Sequence, residues 1–199
     1  MGPKVNLAAL SEALQLEAVN MASTKLIAWA GAILIGIGAA AAQDQSSNRV
    51  AAETDWSVFV ETDPTSCWSV SSPKESVNTK DGRVVAVRRS DILLFVSFIP
   101  SQSVKGQISF TGGYPFAPGS QVGLEISGQT FQLFTDTATN KEMAWAPSEA
   151  DDAKIVTAMK RGSEAVLTAK SAKGTTTKDT FSLLGFTAAL GEAESRCKG

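Results

Sequence analysis

The chain has 199 residues, of which 43% are hydrophobic, and its 18 basic and 20 acidic residues give a formal charge of −2. This length and composition predict one domain with a buried core. The near balance of charges argues against electrostatic capture of nucleic acid. Histidine is absent. Its absence excludes Ser-His-Asp and Cys-His catalytic groups and histidine-bound zinc.

No other catalytic group stands out in the sequence. A carboxylate pair or a Ser-Lys dyad is feasible in principle, but no spacing of these residues singles one out. Two cysteines are too few for the usual four-thiolate metal site. We therefore expect a protein without catalytic residues, cofactor or metal, and keep a carboxylate-based hydrolase as an alternative.

Residues 21–42 have the three parts of a secretory signal peptide. Lys25 precedes an apolar run over residues 26–38, and alanines at 40–42 precede Gln43. This order predicts export with cleavage after residue 42. The apolar run is shorter than the roughly 20 residues needed to cross a bilayer. The predicted organisation is an upstream extension (1–20), a signal peptide (21–42), a flexible lead-in (43–54) and a folded domain (55–199).

The two cysteines, Cys67 and Cys197, lie far apart in the chain. In an oxidising compartment the simplest use of two thiols is one disulfide, which would tie the beginning of the domain to its end. The alternative is a reactive thiol, which needs a neighbouring base, and the sequence offers only Arg196 and Lys198. We expect Cys67 and Cys197 to be bonded to each other.

Short strands separated by turns are predicted along the domain. Alternation of apolar and polar residues indicates a strand over 56–61, and further strands are predicted over 67–72, 83–89 and 91–99. The last of these is apolar on both faces, which is typical of a central strand. Residues 105–135 predict a strand, a loop and a hairpin with a Ser127-Gly128 turn, and two further strands follow over 164–172 and 179–185.

One helix is predicted among these strands, over residues 148–161. Ser148 is a suitable N-cap, Asp151 follows three residues later, and Gly162 stands where a helix-terminating glycine belongs. The tail, residues 186–197, is predicted as a short helix or a turn. The fold class is therefore mainly β, an antiparallel β-sandwich or barrel-like domain with one α-helix, preceded by a signal peptide.

The order of these segments resembles the invasion-associated locus B family of alphaproteobacterial envelope proteins. The resemblance is carried by Trp-Ser-Val at Trp56 with a cysteine soon after, by GGYPFAPGSQVGLEISG (112–128), by DAKIVTAMKRG (152–162) and by SLLGFTAAL (182–190) before the last cysteine. It implies a periplasmic or secreted β-rich domain without catalytic residues, acting by surface binding in the envelope or in host contact. The alternative is a periplasmic chaperone or assembly accessory, which would need an open sheet edge.

Tyr114 and Phe116 are candidates for a partner-binding loop, because they stand among glycines and prolines that stiffen the backbone. The alternative is that these rings cap the open end of the core. The partner is expected to be an unidentified protein or envelope component and not nucleic acid, with the membrane contacted only through the signal segment. The oligomeric state is left open.

The tryptophans and a pair of arginines are further candidates. Trp56, Trp68 and Trp145 could stack on a sugar or an aromatic ligand, although core packing also explains them. Arg88 and Arg89 could bind an anion, or they could form a solvated strand end that resists edge pairing.

Overall fold

The computed structural model describes residues 48–136 and 138–198. The upstream extension and the signal peptide predicted above lie outside the described residues. Twelve strands and two helices are present in the described part of the chain. In chain order they are β1 (Arg49–Glu53), β2 (Trp56–Thr62), β3 (Thr65–Ser71), β4 (Glu75–Lys80), β5 (Arg83–Val84), β6 (Leu93–Ile99), β7 (Val104–Thr111), β8 (Gln121–Ile126), β9 (Gln129–Thr135), β10 (Met143–Trp145), α1 (Glu149–Met159), β11 (Glu164–Lys170), β12 (Thr176–Ser182) and α2 (Phe186–Cys197).

The strands form one antiparallel sheet in the order β1-β2-β3-β6-β7-β10-β9-β8-β11-β12-β4-β5. Alternate side chains on each strand point to a shared interior, where apolar residues such as Val96, Leu124 and Leu167 are fully buried. Phe110 on β7 meets Phe181 on β12 with ring centroids 6.2 Å apart, although four strands separate β7 from β12 in the sheet. The sheet therefore curls so that its two halves enclose one core, which confirms the predicted antiparallel fold class.

The clearest local predictions are confirmed. β6 lies between β3 and β7 and pairs with both, as expected of a strand that is apolar on both faces. β8 and β9 form a hairpin in which Ser127 and Gly128 have φ angles of 48° and 80°. Both values are in the left-handed region that a two-residue hairpin turn requires, and glycine adopts it without steric cost.

The first helix begins as predicted, but its end is organised differently. The side chain of Ser148 accepts a hydrogen bond from the backbone N–H of Asp151 at 3.2 Å. Gly162 does not adopt a left-handed conformation. A Cβ atom at Gly162 would lie 2.7 Å from Cγ2 of Ile126. Glycine is needed there because the chain after the helix passes close to β8, and not because it supplies a left-handed cap.

The tail forms a second helix, so the domain has two helices and not the single one of the predicted fold class. α2 buries Phe186, Ala189, Leu190 and Ala193. The ring of Phe186 contacts Trp56 of β2 edge-on, with centroids 4.9 Å apart. These four residues have the i, i+3, i+4, i+7 spacing of one helix face, and packing against β2 and β3 stabilises the segment as a helix.

Strands without a clear apolar alternation were not predicted from the sequence. β1 lies in the stretch predicted to be a flexible lead-in, and it pairs with β2 over four registered positions. β4 is polar and β10 has only three residues. By contrast, the predicted strand over 83–89 contributes only the two residues of β5. Among the described residues, neither helix is long and apolar enough to span a bilayer.

Asp152, on the first turn of α1, hydrogen-bonds to the edge of β7. Its side chain accepts a hydrogen bond from the backbone N–H of Ile108 at 2.7 Å. The short strand β10 pairs with the three residues of β7 that follow Ile108 and not with Ile108 itself. Asp152 is only 6% exposed. Burial raises the pKa of this carboxyl, while the hydrogen bond from Ile108 acts in the opposite direction.

Asp152→Asn is expected to change the pH dependence of stability. Because the folded protein binds a proton at Asp152 more tightly than the unfolded chain does, the contribution of this group to stability falls as pH rises from about 4 through its folded pKa. Asparagine keeps an oxygen acceptor for Ile108 and cannot ionise. The variant should therefore gain stability relative to wild type between about pH 3 and pH 7, as measured by urea unfolding.

Asp151→Asn provides the matched control with the opposite sign. The pKa of Asp151 is lowered by its hydrogen bond with Ser148 and by Lys154. Its ionised form is therefore favoured by folding, and the asparagine variant should lose stability relative to wild type as pH rises over the same interval. If the stability of both variants, relative to wild type, changed with pH in the same direction, a raised pKa at Asp152 would be contradicted.

Candidate functional site

The predicted disulfide is present. Cys67 of β3 is bonded to Cys197 at the end of α2, and their Cα atoms are 5.9 Å apart. Cys67 is fully buried on the core side of β3. The bond fixes the C-terminal helix to the sheet and leaves no free cysteine, so neither sulfur is available as a nucleophile.

The loop aromatics Tyr114 and Phe116 turn toward the interior. Phe116 is 1% exposed, and its ring centroid lies 6.1 Å from that of Phe110. Tyr114 is half-buried, its hydroxyl forms a 2.6 Å hydrogen bond with the hydroxyl of Thr177, and burial raises its pKa. The two rings therefore cap one end of the core, which is the alternative to an exposed partner-binding loop.

Arg89 is buried at the same end of the core, and both sequence interpretations of it were wrong. Its side chain is 5% exposed and faces Asp179, which is fully buried. The guanidinium donates to both carboxylate oxygens of Asp179 at 2.8 and 2.6 Å, to the carbonyl oxygen of Gly112 and to the side chain of Asn78. Its charge is thus paired inside the protein, whereas Arg88 is exposed. The sequence did not indicate this, because the partners lie 90 positions apart.

The three tryptophans have different surroundings. Trp56 is 1% exposed in the core, and its Nε1–H donates to the carbonyl oxygen of Ser182 at 3.0 Å. Trp68 and Trp145 are half-buried and point away from the core, on the outer surface of the sheet. Their rings have aromatic neighbours on adjacent strands. Trp68 lies 5.7 Å from Phe59 with the ring planes 7° apart, and Trp145 lies 5.8 Å from Phe134.

Trp68 and Trp145 belong to one continuous outer surface. Strand pairing aligns its outward side chains in two rows that cross β2, β3, β6, β7, β10, β9 and β8. We call these eleven residues the aromatic face: Phe59, Trp68, Ser97 and Gln107 in one row, and Ser57, Val70, Phe95, Ser109, Trp145, Phe134 and Gln121 in the other. Since neighbouring strands are about 4.8 Å apart, Trp68 and Trp145 lie roughly 15 Å apart along the sheet.

The aromatic face carries no charged residue, although 19% of the chain is charged. The outward positions of β4, β8, β11 and β12 are different, since they include Glu75, Glu125, Glu164, Lys170 and Lys178. The lack of charge distinguishes these eleven residues from the half of the sheet that contains β11, β12 and β4, although Arg49 of β1 pairs with Phe59 and Glu61 of β2 lies at the margin of the face. Such a concentration of rings on an uncharged surface is typical of a contact site.

Polar groups adjoin the rings of this face. Ser97 and Gln107, which are partly exposed, extend the row of Trp68, while Ser109 stands between Phe95 and Trp145 but is buried. The arrangement can contact the apolar surface of a ligand through the rings and hydrogen-bond its polar groups through hydroxyls and an amide. Among residues 48–136 and 138–198, no group of three or more His, Cys, Asp or Glu side chains is placed to hold a metal ion.

Sequence reasoning found only part of this face. Trp68 and Trp145 were named as candidates for stacking on a sugar, and they lie on it. Phe59, Phe95 and Phe134 were missed, because the strand patterns were used to identify the buried side. The signal that could have found them is an aromatic residue at an outward position of several strands.

The fold and this surface define a disulfide-linked antiparallel β domain with an uncharged aromatic face. The chain belongs to the Invasion associated locus B (IalB) protein family, whose sequence model matches residues 56–194. The invasion associated protein B of Bartonella henselae, known from a crystal structure, has a similar fold, with a TM-score of 0.50 and 15% identity over 75% of this chain and 98% of that chain. No curated protein sequence matches this chain.

Proposed function

We propose that this protein is an exported, non-catalytic envelope protein that acts by binding, and that its aromatic face binds an uncharged glycan chain. Family membership supports an invasion-associated role at the envelope. The order of residues 21–42 supports export, and the disulfide is consistent with an oxidising compartment. The observation that carries the proposal is the composition of the face, in which five aromatic rings lie beside uncharged polar groups and no charged residue.

The chemistry of a neutral sugar polymer matches this surface. A sugar ring has apolar C–H groups on its faces and hydroxyl groups at its rim. Rings such as Trp68, Phe95 and Trp145 would cover the apolar groups, while Ser97 and Gln107 would exchange hydrogen bonds with the hydroxyls. A ligand without charge needs no ion pair in the face, and none of the eleven positions could supply one.

A purely apolar protein partner fits less well. Ser97 and Gln107 are partly exposed and follow Trp68 in the first row, so an apolar surface placed over them would leave them without hydrogen bonds. Each buried polar group left unpaired costs about 1–3 kcal/mol.

The proposal predicts measurable binding of neutral oligosaccharides. Soluble hexasaccharides of β-linked glucose, α-linked glucose and N-acetylglucosamine can be titrated into the purified protein while intrinsic tryptophan fluorescence is followed. At least one neutral hexasaccharide should bind, and Trp68→Ala or Trp145→Ala should weaken its binding by about tenfold or more, as for other aromatic contact residues.

Matched aspartate substitutions test whether binding occurs on this face. Ser97→Asp places a charge beside Trp68 in the first row, whereas Thr168→Asp places one on the outward side of β11. The first should abolish binding and the second should leave it unchanged. A lack of response to every neutral glycan, or equal effects of the two substitutions, would refute the proposed site.

A further inference from the structure

The strand β5 exposes a second surface, at the opposite end of the sheet order from β1. β5 is the last strand of the sheet, and it pairs with β4 through Thr79 to Val84 and Lys80 to Arg83. The chain continues past it as Arg-Val-Val-Ala-Val-Arg over residues 83–88, which we call the edge segment. Val84 is 77% exposed and Val87 is 42% exposed. Two of the five exposed large apolar residues in the described chain thus lie within four positions.

The backbone at Val84 is oriented to accept another strand. The N–H of Val85 donates to the carbonyl oxygen of Asn78 at 2.9 Å, so Val85 forms a hydrogen-bonded pair with β4. Along two antiparallel strands, residue pairs that are hydrogen-bonded to each other alternate with pairs whose N–H and C=O groups point away from each other. The N–H and C=O of Val84 therefore point away from β4, toward the outer edge of the sheet.

Exposed edges are usually protected by charge, by proline or by a covering element. The edge segment has arginine only at its ends, Arg83 and Arg88, and three valines and an alanine between them. Both arginines are exposed, and neither forms an ion pair within the part of the chain that the structure describes. Lys80 adds a positive charge on β4, while Asp81 and Asp91 lie nearby in sequence.

We infer that the edge segment binds an extended segment of a different protein as an added β-strand, with apolar residues at its centre and carboxylates at its ends. Val84 and Val87 would contact the apolar residues, and the two arginines would pair with the carboxylates. Pairing of two copies is disfavoured, because the edge segment carries two arginines and no carboxylate, so that only like charges would meet. This inference is independent of glycan binding by the aromatic face.

The test uses two synthetic peptides with the same alternating Val-Thr centre, one with aspartate at both ends and one with lysine at both ends. Fluorescence anisotropy should show the aspartate peptide binding the purified protein about tenfold or more tightly than the lysine peptide. The double substitution Arg83→Glu with Arg88→Glu should reverse this preference. Val84→Pro should abolish binding, because it removes an outward N–H without removing the hydrogen bond from Val85 to Asn78.

Leu184→Ser is the matched control, since Leu184 is also an exposed apolar residue, at 61%, but lies outside the edge segment. It should bind the aspartate peptide like wild type, and thermal unfolding should confirm that all variants fold. The inference is overturned if both peptides bind equally in wild type or if Val84→Pro binds normally. It is also overturned if sedimentation shows a dimer that Val84→Pro dissociates.

Discussion

Replacing Arg89 with alanine is expected to lower the free energy of unfolding by about 3–5 kcal/mol, because it leaves a carboxylate without its partner in the core. Asp179 is fully buried, and after the substitution it would retain only the hydrogen bond donated by Ser76 at 2.7 Å. The same substitution removes the hydrogen bonds to Gly112 and Asn78 and the cation over the ring of Tyr114, 5.0 Å from its centroid. Chemical unfolding followed by circular dichroism measures the loss.

Two controls separate the buried charge from simple loss of a side chain. Arg88→Ala removes the exposed neighbour and should change stability by less than about 0.5 kcal/mol. Arg89→Met combined with Asp179→Leu removes both charges, and should recover much of the stability lost in Arg89→Ala. If Arg89→Ala unfolds at the same denaturant concentration as wild type, the pair does not hold this end of the core together.

Removing the disulfide is the second large effect. Cys67→Ala with Cys197→Ala should lower the free energy of unfolding by about 2–5 kcal/mol, because the bond closes a loop between residues 130 positions apart and restricts the unfolded chain. Amide hydrogen exchange should increase most in α2, which Cys197 attaches to β3. The helix would then depend on the packing of Phe186, Ala189, Leu190 and Ala193 alone.

Chemical reduction provides an independent check on the same bond. Wild-type protein unfolded in a thiol reductant should show the stability of the double alanine variant, and the reductant should leave that variant unchanged. A wild-type unfolding curve that does not shift on reduction would contradict a stabilising role for the bond.

Features determined by neighbouring residues could be predicted from the sequence. The Ser127-Gly128 turn, the Ser148 cap of α1 and the apolar β6 each depend on a few adjacent positions, and all three are confirmed. The C-terminal helix was left open because two of the four residues on its buried face are alanines, which mark such a face less clearly than larger apolar residues do. Its packing against distant strands stabilises it.

Features that depend on strand order could not be predicted. Arg89 and Asp179 meet because β12 and the end of β7 lie together in the curled sheet, and nothing near either residue indicates its partner. The aromatic face has the same origin, since Trp68, Phe95 and Trp145 become neighbours only when β3, β6, β7 and β10 are placed side by side. The sequence contains these aromatic residues, but it does not show that they lie on one face, because that depends on the order and register in which the strands pair.

Photo-crosslinking in intact cells tests the binding function most directly. A photoreactive amino acid at Gln107, in the first row of the aromatic face, should give an adduct whose added mass is lost on treatment with glycan-degrading enzymes. The same group at Thr168, on the charged half of the sheet, should give no such adduct. Adducts that resist these enzymes and contain only protein, or glycan adducts formed equally from both positions, would contradict glycan binding by this face.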